Sequence, residues 1–277
     1  MNSDWRFDAI GTAWSIGTPD PIAPTVRSAI TSRIDQFDRT WSRFRAEAAV
    51  TQLRTERRVD LGADAPAVLA IYDRLFDLTG GAVSPLVGGA LEQLGYDSGY
   101  TFTPAGEPVR VPSWRDCALV GTTLHVPAPV VLDIGAVGKG YLAGVVADLV
   151  NGPCVVDASG DLVNRSGDVL RVALEDPQDP TSAIGVVEVA DGDALCGSAT
   201  NRRRWGSGLH HVLDARSGEP TRDVVAAWAG GPDAVWADGL ATAAFFTDLL
   251  PDTGHWWAAL DRDRRMSGGP IPGEVFS

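Results

Sequence analysis

Apolar positions along this 277-residue chain change their period several times, and each change marks an element. Residues 5–16 alternate apolar and polar side chains around Gly11, which predicts a β-hairpin turning at that glycine. Val26, Ile30, Ile34, Phe37 and Trp41 recur every three or four residues and predict a helix with one buried face. Val68, Tyr72, Leu75 and Phe76 predict a second. Strands are expected near 117–126, 129–133, 153–157, 168–174, 184–189, 209–213 and 224–228, with a helix over 139–151. Another helix runs through Asp238, turning Leu240, Ala244 and Phe245 to a core. Trp256, Trp257 and Leu260 are expected on a short helix. The Gly/Pro-rich stretch 267–273 predicts a flexible tail over 267–277.

This order is α+β, with mixed or antiparallel sheets and flanking helices. No Ser/Gly-rich linker, internal repeat or low-complexity stretch interrupts it, so residues 1–277 are expected to form a single domain. The aliphatic and aromatic stripes read as core.

Composition narrows the function. A 44% hydrophobic content can build a substantial core, and a formal net charge of −13 argues against nonspecific nucleic-acid binding, which needs a basic surface. The apolar stretches are far shorter than a bilayer span, so no transmembrane helix is expected. Met1-Asn2-Ser3-Asp4-Trp5 has no basic head, apolar stretch or lipid-attachment cysteine. A cytoplasmic location is therefore expected, unless a leader is missing from the sequence. Cys117, Cys154 and Cys196 are odd in number and lie in apolar surroundings, which favours buried thiols over disulfides or a metal site.

Three segments carry candidate chemistry. In Val130-Val131-Leu132-Asp133-Ile134-Gly135-Ala136-Val137-Gly138-Lys139-Gly140-Tyr141, an apolar run ends in an acid, three glycines and a lysine before a helical pattern. Glycine lets backbone N–H groups approach an anion and a helix N-terminus adds positive potential, so the turn suits a phosphate. It is equally the composition of an ordinary strand-to-helix connection. It is not a P-loop: Asp133 stands where that motif needs its first glycine, and Gly140 follows the lysine where it needs Ser or Thr. Asp238 and Thr242 lie four apart on one helix face, where a carboxylate and a hydroxyl can hold a hard cation such as Mg²⁺; alternatively Asp238 is an N-cap and Thr242 a buried hydroxyl. His211, beside His210, has the side chain for a base near neutral pH, or makes a structural hydrogen bond. Arg202-Arg203-Arg204 either attracts phosphate or is a solvated turn.

In order along the chain, these and further segments resemble the ApbE-type FAD:protein FMN transferases. Phe7-Asp8-Ala9-Ile10-Gly11-Thr12 is similar to the family's F-x-x-M-G-T opening. Ser42-Arg43-Phe44 with Ala46, Glu47 and Leu53 resembles its serine-aromatic turn, and Gly81-Ala82-Val83-Ser84-Pro85 its G-x-F-D-P turn. Asp133 to Tyr141 follow D-x-G-x-x-x-K-G-Y. Asp157 to Asp161 resemble n-x-G-G-D, and Ala173 to Pro177 the g-I-x-x-P strand end. His211-Val212-Leu213-Asp214 and Ser217 to Pro220 look like H-I-I-D-P-x-T-G-x-P, and Ala237 to Thr242 like A-D-x-x-x-T-A.

The resemblance implies an ApbE-like fold that binds FAD and Mg²⁺, cleaves the pyrophosphate and joins FMN to a Thr or Ser hydroxyl of an acceptor flavoprotein, releasing AMP. The metal ligands it implies are the Ala136 carbonyl and the Asp238 and Thr242 side chains. FAD contacts would come from Phe44 at the ring-stacking position, the Ala82-Val83-Ser84 turn, Asp133, Lys139 and Val212, and His211 would be the base.

Several positions depart from the pattern. Ile10 replaces a methionine, Ser84 and Gly144 replace aspartates, Ser159 and Ala199 replace glycines, and Ala215 replaces a proline. Exchanging Met for Ile keeps an apolar wall, whereas losing two carboxylates bears on turnover more than on FAD and metal binding. Two alternatives stand beside transfer. One is an FAD pyrophosphatase, as in family members that only hydrolyse FAD to FMN and AMP. The other is a flavin-binding protein without turnover.

Overall fold

The structure, a computed structural model, describes residues 1–249 and 254–276. Its largest sheet has eight strands in the order Ser3–Ala9, Thr12–Thr18, Cys154–Asp157, Leu162–Arg165, Ala194–Ala199, Val224–Gly231, Trp256–Asp261 and Met266–Gly268. Every neighbouring pair in it is antiparallel. The expected hairpin opens the sheet. Its turn, Ile10 and Gly11, has φ of 44° and 75°, the doubly left-handed turn whose twist matches that of its strands. Glycine accepts this conformation freely; the β-branched Ile10 is strained in it.

Helices cover one face. In α1 (Pro24–Trp41), Ile30, Ile34, Phe37 and Trp41 are buried along one side, as their spacing predicts. The others are α2 (Ala65–Leu78), α3 (Gly88–Gln93), α4 (Gly138–Leu149) and α5 (Ala234–Ala243). One apolar core joins Trp14 and Ile16 of the sheet to α1, α2, α4 and α5. A three-stranded sheet, Leu170–Asp176, Asp179–Val189 and Gly273–Val275, forms a second core. There Leu174, Ile184 and Val187 pack with Leu195, Trp228 and Leu260 of the large sheet.

Helix α5 is the buried axis of the helical layer. Asp233 caps it, accepting from the backbone N–H groups of Val235 and Trp236; the capping residue is thus not Asp238, which lies in the second turn. Alanines and glycines dominate α5 because α2, α4 and the sheet all press on it. A Cβ on Gly239 would stand 2.8 Å from Leu75 Cδ1, and one on Gly140 of α4 would stand 2.4 Å from the Ala234 carbonyl oxygen.

Four expectations are corrected. Residues 129–133 form no strand: the segment runs between elements, its N–H groups going singly to Leu53 O from Val130 at 2.8 Å and to Pro85 O from Asp133 at 2.7 Å. Its alternating apolar residues Val130, Leu132 and Ile134 are buried without a strand partner. The expected strand at 209–213 is two short ones, Leu209–His210 and Leu213–Asp214, paired with different partners on either side of His211 and Val212. Trp256–Asp261 is a strand rather than a helix. An unbroken apolar run suits either structure, and pairing on both sides decides it. Most of the expected tail is taken up by the strands Met266–Gly268 and Gly273–Val275, where Gly268 and Gly273 serve close backbone contact. A Cβ on Gly273 would lie 2.1 Å from Val186 O.

Cys117, Cys154 and Cys196 are free thiols, Cys117 half-buried and the others buried. No helix among the described residues is long and apolar enough to cross a membrane.

Candidate active site

A cavity of about 860 Å³ opens between the sheet and the ends of α1, α4 and α5. Its wall includes every residue to which the resemblance gave a role in the site: Phe44, Ala82, Val83, Ser84, Asp133, Ala136, Lys139, His211, Val212, Asp238 and Thr242.

The glycine turn before α4 is held from three sides. Asp133 Oδ1 accepts from the Gly135 N–H at 2.7 Å, Asp133 Oδ2 receives Arg43 Nε at 2.5 Å, and the Tyr72 hydroxyl donates to the Asp133 carbonyl at 3.3 Å. Tyr72 is 1% exposed. Burial, reinforced by Asp133, holds its pKa well above the ordinary range, so it braces the turn as a neutral phenol.

Where α4 crosses α5, the Gly140 N–H donates to Asp238 Oδ2 at 2.8 Å. Asp238 is 2% exposed and Asp161 fully buried. Lys139 Nζ forms an ion pair with Asp161. Burial lowers the lysine pKa, but Asp161 and Asp238 outweigh it, leaving the pKa raised and the amine charged. Asp238 is driven the other way: burial, then repulsion from Asp161, raises its carboxyl well above the usual range, with Lys139 opposing. Two buried carboxylates thus share one ammonium. The surplus negative charge calls for either a proton or another cation.

The groups beside Asp238 suit a hard cation. Thr242 and Ser198 bring their hydroxyls within 3.4 Å of each other, and the Ala136 backbone lines the same cavity. Among the described residues, no group of three or more His, Cys, Asp or Glu side chains is arranged to hold a metal. An ion such as Mg²⁺ would therefore take its other ligands from backbone, water or phosphate oxygens, an ordinary condition for Mg²⁺.

The two histidines divide their roles. His210 Nε2 lies 2.9 Å from the Thr221 carbonyl oxygen, and His210 Nδ1 accepts from the Val212 N–H at 3.3 Å; this ring is structural. His211 Nδ1 is buried without a hydrogen-bond partner among the described residues. Burial, with help from the neighbouring His210, pulls the His211 pKa down to about 4 against a hydrogen bond to the Arg203 carbonyl, so the imidazole is neutral at pH 7.

Aromatic side chains wall the Phe44 side. Phe44 lies between the Arg43 guanidinium, 4.2 Å from its centroid, and the Tyr100 ring, 5.2 Å away at 1°. Tyr96, Phe102 and Trp205 extend the cluster. Of the departing positions, Ser84 keeps the capping role that an aspartate would have, accepting from the Leu86 N–H at 3.2 Å. Ser159 lines the cavity with φ of 58° beside Gly160. Gly144 has nothing among the described residues within 4 Å of where a Cβ would stand. Arg202 pairs with Glu175, while Arg203 reaches the Gly11 carbonyl at 3.4 Å, and both line the cavity.

Sequence reasoning missed Arg43, Tyr72 and Ser198, because each becomes part of the site only through partners 44 to 90 positions away along the chain. Arg43 alone carried a signal, standing inside the Ser42-Arg43-Phe44 segment.

The sequence model of the ApbE family matches residues 10–264. An FAD:protein FMN transferase from Rhodobacter capsulatus is 30% identical over 188 residues, covering 59% of this chain and 34% of the relative. The chain thus spans about a third of the length of the curated relative it matches. Among solved structures, the ApbE protein of Thermotoga maritima superimposes with a TM-score of 0.81 at 20% identity, covering 96% of each chain. The flavin transferase ApbE from Vibrio cholerae gives 0.75 at 20% identity, covering 99% of this chain and 97% of that one.

Proposed function

The chain belongs to the ApbE family, and from that premise we propose that it transfers FMN from FAD to a Thr or Ser hydroxyl of an acceptor protein in a Mg²⁺-dependent reaction that releases AMP. The observation that carries this reading is the convergence of the glycine turn, the Asp238 helix and His211 on one cavity.

In this reading residues 1–277 act as one unit. The glycine turn and Lys139 hold the pyrophosphate, with Asp161 fixing the amine. Asp238, Thr242 and the Ala136 carbonyl hold Mg²⁺, which when bound neutralises charge on the phosphoryl oxygens. Asp133 is already engaged by Arg43 and Gly135, so it acts chiefly by shaping the turn around the flavin nucleotide. Phe44, the 82–84 turn and Val212 border the ring.

His211 Nδ1 takes the proton of the acceptor hydroxyl. That oxygen forms a bond to the FMN phosphorus, the bond from this phosphorus to the bridging oxygen breaks, and AMP leaves with the bridging oxygen. A pKa of about 4 makes the ring a modest base. It remains unprotonated throughout the neutral range, however, and needs no activation. With water in the hydroxyl's place, the same step hydrolyses FAD.

The test incubates the protein with FAD and Mg²⁺, with and without a Thr-containing acceptor, and follows products by mass spectrometry. A flavinylated acceptor is expected. FMN plus AMP with no adduct would convert the reading to a pyrophosphatase, and unchanged FAD that still binds would leave a flavin-binding protein.

A further inference from the structure

Four cationic side chains line the cavity: Arg43, Lys139, Arg202 and Arg203. Three are matched by carboxylates. Arg43 meets Asp133 and Glu92, Lys139 meets Asp161, and Arg202 meets Glu175 at 3.0 Å. Among the described residues Arg203 has no carboxylate partner, in a chain whose formal net charge is −13. Its guanidinium, with five N–H donors, makes one hydrogen bond there, to the Gly11 carbonyl at 3.4 Å, the weak end of the range. On another side the Tyr96 ring centroid lies 5.8 Å from the guanidinium carbon. Gly11 and Tyr96 both belong to the cavity wall, so this half-buried cation stands at the cavity.

Local backbone geometry separates Arg203 from its neighbour. Arg203 is extended, with φ −142° and ψ 96°, and Arg204 opens the short strand that pairs with His210. Successive side chains of an extended chain point to opposite sides, so Arg204 is exposed and does not line the cavity. The Arg203 carbonyl also accepts the hydrogen bond from His211. Arg203 is thereby anchored beside the ring that serves as the base in the transfer proposed above.

An uncompensated cation in this position suits an anionic reactant. The pyrophosphate of FAD carries a negative charge on each phosphate, and further charge gathers on the AMP phosphate as the bridging P–O bond breaks. Lys139 offsets only part of it, because Asp161 and Asp238 already act on its ammonium. A guanidinium presents paired N–H groups that fit two phosphate oxygens at once. We propose that Arg203 is a second phosphate-binding residue, whose guanidinium leaves the Gly11 carbonyl to bind oxygens of the FAD pyrophosphate and stabilises the charge that develops on the AMP phosphate. This inference rests on the FAD reading above.

The test compares Arg203→Gln, Arg203→Lys and Arg204→Gln in the full chain. FAD and riboflavin, which has no phosphate, are titrated by flavin fluorescence with EDTA present, so that FAD binds without being consumed. In Arg203→Gln, FAD affinity should fall roughly 10- to 100-fold, the loss of a charge-assisted contact, while riboflavin affinity moves less than about twofold. Arg203→Lys keeps the charge without the fork and should lose only about 3- to 10-fold for FAD. Arg204→Gln removes the same charge one residue away and should leave both affinities within about twofold. With Mg²⁺ and an acceptor at saturating FAD, kcat of Arg203→Gln should fall about 10²–10³-fold. Equal losses for FAD and riboflavin, an equal FAD loss in Arg204→Gln, or unchanged FAD affinity or kcat in Arg203→Gln would overturn the assignment. Thermal melts of the ligand-free proteins accompany the titrations. Should Arg203→Gln melt early, the FAD-to-riboflavin affinity ratio of Arg203→Lys decides. A wild type that binds no FAD would instead reject the FAD reading itself.

Discussion

The contact between α4 and α5 makes one substitution carry opposite signs at two positions a single helical turn apart. A Cβ on Gly140 would lie 2.4 Å from the Ala234 carbonyl oxygen and 2.6 Å from Asp238 Cβ. Unstrained contacts between such atoms are roughly 3.3–3.8 Å, so Gly140→Ala requires the helices to separate by about 1 Å. The obstructing oxygen belongs to a backbone that other packing fixes, and no side chain can swing away. Overpacking of this kind costs about 1–3 kcal/mol, offset by roughly 0.8 kcal/mol for exchanging a helical glycine for alanine. The net loss of about 0.2–2.2 kcal/mol lowers the melting midpoint by up to roughly 9 °C, at 2–4 °C per kcal/mol. Gly144 lies on the same helix with nothing among the described residues within 4 Å of its Cβ position. Gly144→Ala should therefore gain about 0.5–1 kcal/mol and melt roughly 1–4 °C higher. Separation should also stretch the 2.8 Å bond from Gly140 to Asp238, so Mg²⁺ affinity falls in Gly140→Ala and holds in Gly144→Ala. Circular-dichroism melts check the stability and calorimetry the metal. Gly140→Ala melting above wild type, or Gly144→Ala melting below it, would refute the helix-contact argument.

Three further outcomes are expected. Ser159→Gly should stabilise the protein by about 1 kcal/mol by relieving a left-handed backbone at φ 58°, seen as a higher urea midpoint; an unchanged midpoint would remove the strain argument. Because folding raises the Asp238 pKa above its ordinary 3.8, the ligand-free protein loses stability from this group as pH rises from about 4 toward neutral. Asp238→Asn should flatten that part of the stability profile and weaken Mg²⁺ binding, and an unchanged pH slope would count against the charge imbalance. His211→Asn should retain FAD binding and lose transfer by roughly 10²–10⁴-fold. Since the His211 pKa is pulled from 6.5 to about 4, its stability contribution is full above 6.5 and lost as pH falls through 4. The transfer rate should likewise stay level down to about pH 5, and a fall centred near 6.5 would reject this ring as the base.

Local pattern and long-range chemistry differed in how far they could be read from the sequence. The face of α1 was legible because Ile30, Ile34, Phe37 and Trp41 encode it at helical spacing. The hairpin was legible because Gly11 marks its turn. Residues 129–133 and Trp256–Asp261 were not, since buried extended chain, strand and helix all tolerate an apolar run, and hydrogen-bond partners elsewhere decide among them. The same limit governs the site. Its motif residues were visible one segment at a time, but their electrical condition depends on encounters across the fold. Lys139 meets Asp161 from 22 positions away, Asp238 receives its N–H from Gly140 across 98, and Asp133 is held by Arg43 across 90. A lysine that looked like a lone phosphate hook is therefore one member of a buried group with two carboxylates. That changes what its removal does. Lys139→Ala would delete a phosphate contact and also leave Asp161 and Asp238 facing each other without an ammonium, so a loss of FAD affinity alone could not be read as a phosphate contact. Retained riboflavin affinity separates the two effects: riboflavin has no phosphate, so it should bind the variant normally if the buried carboxylates have not disturbed the cavity.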